Sequence, residues 1–301
     1  MGATRRQLRF DCSLPRVYNV STMTQINNEF SGLEPELQSK LAACMEHLRT
    51  LGRVVVAYSG GVDSTLLLAL AVRALGSDNV LAAVGISPSL PQRELEEGRK
   101  LAEQIGAKLI EIQTAELDDP NYAANPERRC FYCKSELFTL LKKAALENGF
   151  DTVACGANFD DTGDFRPGLE AGAELGVVNP LMDAGLTKPE IRTLSKAIGL
   201  TTWDKPAMAC LASRIPYGQG VSSEKLTRIE HAEYVLKDLG FVQCRVRDHD
   251  TIARIEVPAD DVVRAAELRQ TLVEKLKALG YAYVTLDLQG FRSGSMNETI
   301  G

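Results

Sequence analysis

The chain has 301 residues, 45% hydrophobic and 25% charged, with 34 Lys and Arg against 40 Asp and Glu for a formal net charge of -6. That hydrophobicity and small net charge exclude a disordered chain, and 24 Gly with 12 Pro exclude collagen-like and low-complexity classes. The length suits about two domains, and the acidic balance gives no bulk attraction to nucleic acid or an anionic membrane, so the expected partner is a small molecule.

Residues 1–32 carry Arg5, Arg6, Arg9 and Arg16 with no apolar stretch after them, unlike a secretion signal. They read as a disordered extension, or as a start assigned ahead of the true one at Met23, with an organellar transit peptide as the alternative. No apolar run approaches the roughly 18 residues of a membrane span. Apolar spacing then predicts a helix over 37–51, and Val54-Val55-Val56-Ala57-Tyr58 reads as a buried parallel strand. After Gly60-Gly61 come a helix over 64–75, a strand over 80–87, a helix over 92–105 and a strand over 108–113. A helix over 126–148, a strand over 152–157, a polar loop, an apolar segment over 177–181 and a helix over 188–198 complete the alternation. This pattern predicts an α/β domain over 33–202: an open parallel sheet, helices on both faces, ligands at the carboxyl ends of the strands. Trp203 is expected to pack in the core at the junction. Over 203–301 the order becomes helix 223–239, two alternating strands around Asp248-His249-Asp250, helix 260–279 and strand 281–288, a smaller C-terminal α+β domain for substrate binding or oligomerisation.

The first strand gives way to a helix at Ser59-Gly60-Gly61-Val62-Asp63-Ser64. Two glycines let the backbone approach a phosphate, and the helix start supplies free N–H groups and partial positive charge. Ser59 and Ser64 add hydroxyls. Asp63 is informative, because a carboxylate among phosphate-binding amides repels the ligand unless Mg²⁺ bridges the two. No Gly-Lys-Ser/Thr follows, so this is not a Walker A loop. It resembles the loop of the PP-loop ATP pyrophosphatases, which hold the pyrophosphate of ATP and cleave the α-β bond. In that family the position of Ser87, at the end of the second strand, contacts adenosine; as a cap before Pro88 it has an ordinary reading too.

Seven cysteines, an odd number, argue against a secreted disulfide framework and for a reducing, cytoplasmic setting. Cys130 and Cys133 share one face of a predicted helix. A bare CxxC is compatible with a redox pair, half of a zinc site or coincidence, and the three His, at 47, 231 and 249, are scattered. Cys210, in a loop on the side of the sheet where ATP is expected, is the natural third ligand. Cys155, in a strand, reads as a small buried hydrophobe.

The loop Ser59–Ser64, Asp164-Phe-Arg-Pro-Gly-Leu169, Cys210-Leu-Ala-Ser-Arg-Ile-Pro-Tyr-Gly218, Arg245-Val-Arg247 with Ile252-Ala-Arg-Ile-Glu256, and Val284 through Gly294 follow in order the pattern of the LarE family, which the chain resembles from about residue 33 to 297. Members are ATP-dependent sulfur transferases that make the nickel-pincer nucleotide cofactor of lactate racemase and related enzymes. The resemblance implies adenylation of a carboxylate of pyridinium-3,5-biscarboxylic acid mononucleotide and replacement of oxygen by sulfur, twice, with ATP and Mg²⁺ at Asp63, in a homo-oligomer. In sacrificial members a cysteine in the loop matching Cys210 gives up its own sulfur. This sequence departs from them by adding Cys130 and Cys133, like the branch in which three cysteines hold a 4Fe-4S cluster fed by sulfide or a cysteine-derived sulfur source.

The same resemblance assigns Arg214, Arg245 and Arg247 to phosphates of substrate or adenylate, Asp164 and Arg166 to the cofactor-binding loop, and Glu233 and Glu256 to a divalent-metal site. Rival readings are a sacrificial or persulfidic Cys210, a tRNA thiolase, and a non-enzymatic ATP-binding redox sensor.

Overall fold

The computed structural model describes residues 30, 32–163 and 166–292. The expected extension therefore lies outside the described residues but for Phe30 and Gly32, and so does Asp164. Four strands, β1 (Val54–Ala57), β2 (Val80–Ile86), β3 (Lys108–Gln113) and β4 (Thr152–Cys155), form a parallel sheet in the order β3-β2-β1-β4.

Alternation along β1 explains the layers. Val54 and Val56 face α1 (Pro35–Leu51), α2 (Val62–Leu75) and the later α8 (Lys188–Ala197) in one core, while Val55 joins Phe138, Leu141 and Ala145 of α5 (Arg129–Glu147) in the other. Helix α2 is buried over eleven of its 14 residues, as expected of a helix apolar on nearly every side. Helix α3 (Gln92–Ile105) crosses between β2 and β3, and a single turn, α4 (Pro120–Ala123), precedes α5.

The sheet fans out from β1: β2 and β3 lie to one side and β4 to the other. The β1/β4 junction is thus a topological switch point, where a crevice opens at the carboxyl ends. The expected polar loop after β4 instead contains α6 (Pro167–Glu174). The apolar segment 177–181 contributes only the bridge Ala154 to Val178, because Pro180 withholds an N–H and starts the short α7 (Pro180–Asp183).

In the C-terminal part, α9 (Ser223–Asp238) precedes the antiparallel pair β5 (Arg245–His249) and β6 (Ile252–Glu256), turned at Asp250 with φ 58°. β7 (Tyr283–Leu286) adds parallel to β6. The single helix expected over 260–279 is two, α10 (Val262–Glu267) and α11 (Arg269–Ala278). The backbone leaves helical geometry at Leu268 (φ -82°, ψ 11°), and Ala265, Leu272 and Leu276 on either side all reach one core. A bidentate Arg93–Asp238 contact and the Lys237–Glu94 pair join α3 to α9. Among the described residues no helix is long and apolar enough to cross a membrane.

Candidate active site

The switch point holds the Ser59–Ser64 loop. Gly60 adopts φ 72°, a conformation that favours glycine, and an added Cβ there would sit 3.4 Å from the Gly98 backbone. Across the crevice, a Cβ on Gly156, just past β4, would stand 2.8 Å from the Ser64 nitrogen, so the two strand ends can close on each other only through a glycine. Helix α2 starts at Gly61 without a side-chain cap, leaving its first-turn N–H groups to an anion. The hydroxyls of Ser59 and Ser64 are 3.0 Å apart, and Ser64 donates to the Gly61 carbonyl, so the serines brace the turn.

Asp63 accepts from Lys188 Nζ on Oδ2 at 2.5 Å, while its buried Oδ1 has no partner. Burial raises its pKa and the Lys188 ammonium opposes the rise. A carboxylate half used and half orphaned fits a divalent cation bridging it to phosphate. Lys188 was not singled out by sequence reasoning. Its only local signal is the helix start Thr187-Lys-Pro-Glu190, a capping box whose Glu190 reaches back to the Thr187 N–H at 2.8 Å. Ser87, half-buried after β2, accepts the Ser89 N–H at 3.1 Å.

The three cysteines lie within electrostatic reach of one another. Cys130 and Cys133 occupy the first turns of α5, and Cys210 directly precedes a 3-10 turn, Leu211–Arg214. The Cys210 loop is tied to the strand ends by the Leu211 N–H donating to Ser89 O at 2.9 Å, and Ser89 in turn meets Tyr122 OH at 2.7 Å. Asn125, buried with φ 57°, donates to the carbonyls of Ile215, Pro216 and Gln219 at 3.2, 2.8 and 2.9 Å. Arg129 binds the Asn125 side-chain oxygen and the Ala212 carbonyl. One turn of helix thus carries both Cys130 and the clamp on the Cys210 loop.

Electrostatics link the thiols. Burial and then the neighbouring Cys210 push Cys130 up, and burial pushes Cys133 up to about 12 against the pull of Lys134. Burial works against the charge on Arg129, but Cys210 and Cys130 outweigh it, and its pKa is raised. Its side chain donates to the neutral oxygens of Asn125 and Ala212. Lys134 also senses Cys155, Cys133, Cys130 and Cys210. Three soft sulfur donors flanked by cations suit a metal centre of thiophilic iron. Among the described residues no group of three His, Cys, Asp or Glu side chains is placed to hold a metal ion, so the structure does not bring Cys130, Cys133 and Cys210 together as a formed metal site. Cys155 is half-buried at the end of β4.

The arginines and glutamates form a buried lattice behind Cys210. Arg214 makes a two-pronged contact with Glu233, 2.8 and 3.0 Å, and donates to the carbonyls of Ala209 and Cys210. Burial resists ionisation of Glu233, yet Arg214 holds its carboxyl below the usual range. Arg247 pairs in the same way with Glu256, 2.9 and 2.7 Å, and donates to Ser213 O. Each glutamate expected at a divalent metal therefore spends both oxygens on an arginine. Arg245 donates to the carbonyls of Cys244 and Ala207 and lies 5.2 Å over Phe291, and burial followed by Arg214 pulls its pKa down to about 10. Its hydrogen bonds go to carbonyls rather than to a carboxylate, which suits it to an anion. Arg166 pairs with Asp161 at 2.9 Å. Trp203 is 36% exposed beneath Lys196 rather than in the core, since Arg192 holds its carbonyl at the surface.

The NAD synthase family pattern matches residues 37–128, which contain the glycine loop. A pyridinium-3,5-bisthiocarboxylic acid mononucleotide synthase of Lactiplantibacillus plantarum is 38% identical, covering 88% of this chain and 96% of that protein. An uncharacterized protein of Synechocystis is 44% identical over 88% of this chain and 99% of its own length. A tRNA-5-methyluridine(54) 2-sulfurtransferase of Pyrococcus horikoshii is 32% identical over 38% of this chain and 37% of its own.

Proposed function

The chain belongs to the LarE family of ATP-using sulfur transferases, and on that premise we propose that it converts pyridinium-3,5-biscarboxylic acid mononucleotide into the bis-thiocarboxylic acid mononucleotide. The observation that carries this reading is the uncapped glycine turn at Ser59–Ser64 with its half-orphaned Asp63 carboxylate, in a chain 38% identical over 88% of its length to a pyridinium-3,5-bisthiocarboxylic acid mononucleotide synthase. The open N–H groups of α2, with Ser59, Gly60, Gly61 and Ser64, would take the β- and γ-phosphates, Asp63 would hold Mg²⁺, and Ser87 would meet the adenosine. A substrate carboxylate oxygen attacks the α-phosphorus. The bond to the bridging oxygen breaks and its electron pair leaves with pyrophosphate, giving an acyl adenylate. Hydrosulfide then attacks the acyl carbon, its proton passes to solvent, and AMP departs from a thiocarboxylate. A second cycle treats the other carboxylate.

Arg245 receives a phosphate of the mononucleotide or of the adenylate, and Arg214 and Arg247, locked on Glu233 and Glu256, fix the carbonyls of the Cys210 loop. Cys130, Cys133 and Cys210 would be the ligands of a 4Fe-4S cluster, which would supply a Lewis-acidic iron and soft sulfide. With a cluster bound, Arg129 and Lys134 would balance the negative charge of its ligands. The net charge of -6 disfavours tRNA as the alternative substrate. Incubation with ATP, the mononucleotide and sulfide tests the reading. Pyrophosphate and the sulfur-for-oxygen mass change should appear together; release of neither, or thiolation of tRNA alone, would overturn it.

A further inference from the structure

We propose that Glu230 and Tyr234 of α9 are positioning residues for ATP: they supply the N-terminal cap that α3 lacks and so hold the helix that backs the glycine loop. This rests on the reading of Ser59–Ser64 as an ATP site and adds to it two residues from the C-terminal part. Helix α3 begins after Pro91, which has no side-chain acceptor to offer the first turn. The Glu94 and Leu95 N–H groups turn back to the Pro91 carbonyl, both at 3.1 Å, and those of Gln92 and Arg93 are left over.

The missing acceptors arrive from 138 and 141 positions away in sequence. The Gln92 N–H donates to Glu230 Oε1 at 2.6 Å, and the Arg93 N–H donates to the Tyr234 hydroxyl at 3.1 Å. Tyr234 in turn donates to Glu230 Oε1 at 2.5 Å, so the two side chains act as one unit. A carboxylate at this end of a helix also meets the positive pole of its dipole. The seam closes around the cap. The Arg93 guanidinium lies 4.1 Å from the centre of the Tyr234 ring and grips Asp238, and Lys237 reaches the buried Glu94.

What the cap holds is a wall of the nucleotide crevice. The Gly98 backbone of α3 faces Gly60, where an added Cβ would stand 3.4 Å from it, and the Gly98 carbonyl accepts from Tyr58 at 3.2 Å. The segment from Ser87 to Pro91 joins β2 to α3. It carries the serine expected to meet adenosine, and its Ser89 carbonyl receives the Leu211 N–H of the Cys210 loop at 2.9 Å. A frayed first turn of α3 therefore loosens Ser87, the Gly60 turn and the Cys210 loop together. The same α9 presents Glu233 to Arg214, which fixes the carbonyls of Ala209 and Cys210. Glu230 and Tyr234 act through α3 and not on the reacting atoms.

The test uses the full chain as wild type, Glu230→Ala, Tyr234→Phe, Asp238→Asn and the double variant Glu230→Ala/Pro91→Asp, with folding checked by circular dichroism. ATP with Mg²⁺, read by calorimetry, is the probe, and amide exchange at residues 92 and 93 reports the cap itself. Glu230→Ala should bind Mg-ATP about 3- to 20-fold more weakly and Tyr234→Phe about 2- to 5-fold, each with faster exchange at the helix start. Asp238→Asn breaks the Arg93 pair but spares the cap, and its affinity should stay within about twofold. Pro91→Asp provides an acceptor beside α3 in its own chain and should return the Glu230→Ala protein to within about threefold of wild type. A Glu230→Ala protein that binds as wild type does, one that Pro91→Asp fails to rescue, or an Asp238→Asn protein weakened as much would overturn the positioning while leaving the ATP site standing. A wild-type chain that binds no Mg-ATP would overturn the ATP reading and this proposal with it.

Discussion

Replacing Glu233 by Ala asks whether the buried glutamates work as arginine partners. Arg214 is 3% exposed and Glu233 4%, so truncation strands a guanidinium away from water, a loss of about 3 to 5 kcal/mol. The Val246 N–H, which donates to Glu233 Oε1 at 3.1 Å, is orphaned as well, adding about 1 to 3 kcal/mol if nothing relaxes. The two costs share one cavity and do not add fully, so about 4 kcal/mol is expected. Urea denaturation at pH 7 measures it, with and without added divalent cation. The double variant Arg214→Met/Glu233→Leu should recover much of the loss, since no charge is then buried alone. Because Arg214 holds the Glu233 carboxyl below its ordinary value of 4.5, the pair's contribution is complete above that value and is lost as pH falls through the depressed one. A Glu233→Ala protein within about 1 kcal/mol of wild type, or one restored by a divalent ion, would refute the reasoning.

Other outcomes follow from the same contacts. Asp63→Asn should change stability by less than about 1 kcal/mol, because burial already disfavours its charge, while pyrophosphate release falls at least about 100-fold in a coupled assay. Gly156→Ala drives a Cβ into the Ser64 backbone and should weaken ATP binding at least about tenfold by calorimetry, with a cost of about 1 to 3 kcal/mol. Asn125→Gly keeps the left-handed backbone but removes three hydrogen bonds to the Cys210 loop, and amide exchange over residues 211–219 should speed up markedly. Cys130→Ser, Cys133→Ser and Cys210→Ser should each lower the iron retained after anaerobic reconstitution below about four per chain.

The parts of the molecule legible in sequence are those whose physics is local. The apolar run at Val54–Ala57 and the glycines after it specify a strand, a turn and a helix start within a dozen residues, and all three stand where expected. Segment 177–181 reads as apolar but cannot reveal that Pro180 ends its pairing after one bridge. Cys130 and Cys133 announce each other by helical spacing, whereas the Asn125 and Arg129 clamp on the Cys210 loop spans 83 to 94 positions and leaves no pattern. Arg247 and Glu256 become partners only through the register of β5 and β6, which alternation alone does not set. The Lys188–Asp63 pair is the extreme case, two ordinary charged residues joined by the topology of the sheet.

Product stoichiometry against intact protein mass tests the central claim most directly. The full chain, reconstituted anaerobically and given ATP, the mononucleotide and excess sulfide, should form more than one thiocarboxylate per chain with the Cys210 sulfur retained. One sulfur transferred per chain, with loss of the Cys210 sulfur from the protein mass, would contradict it.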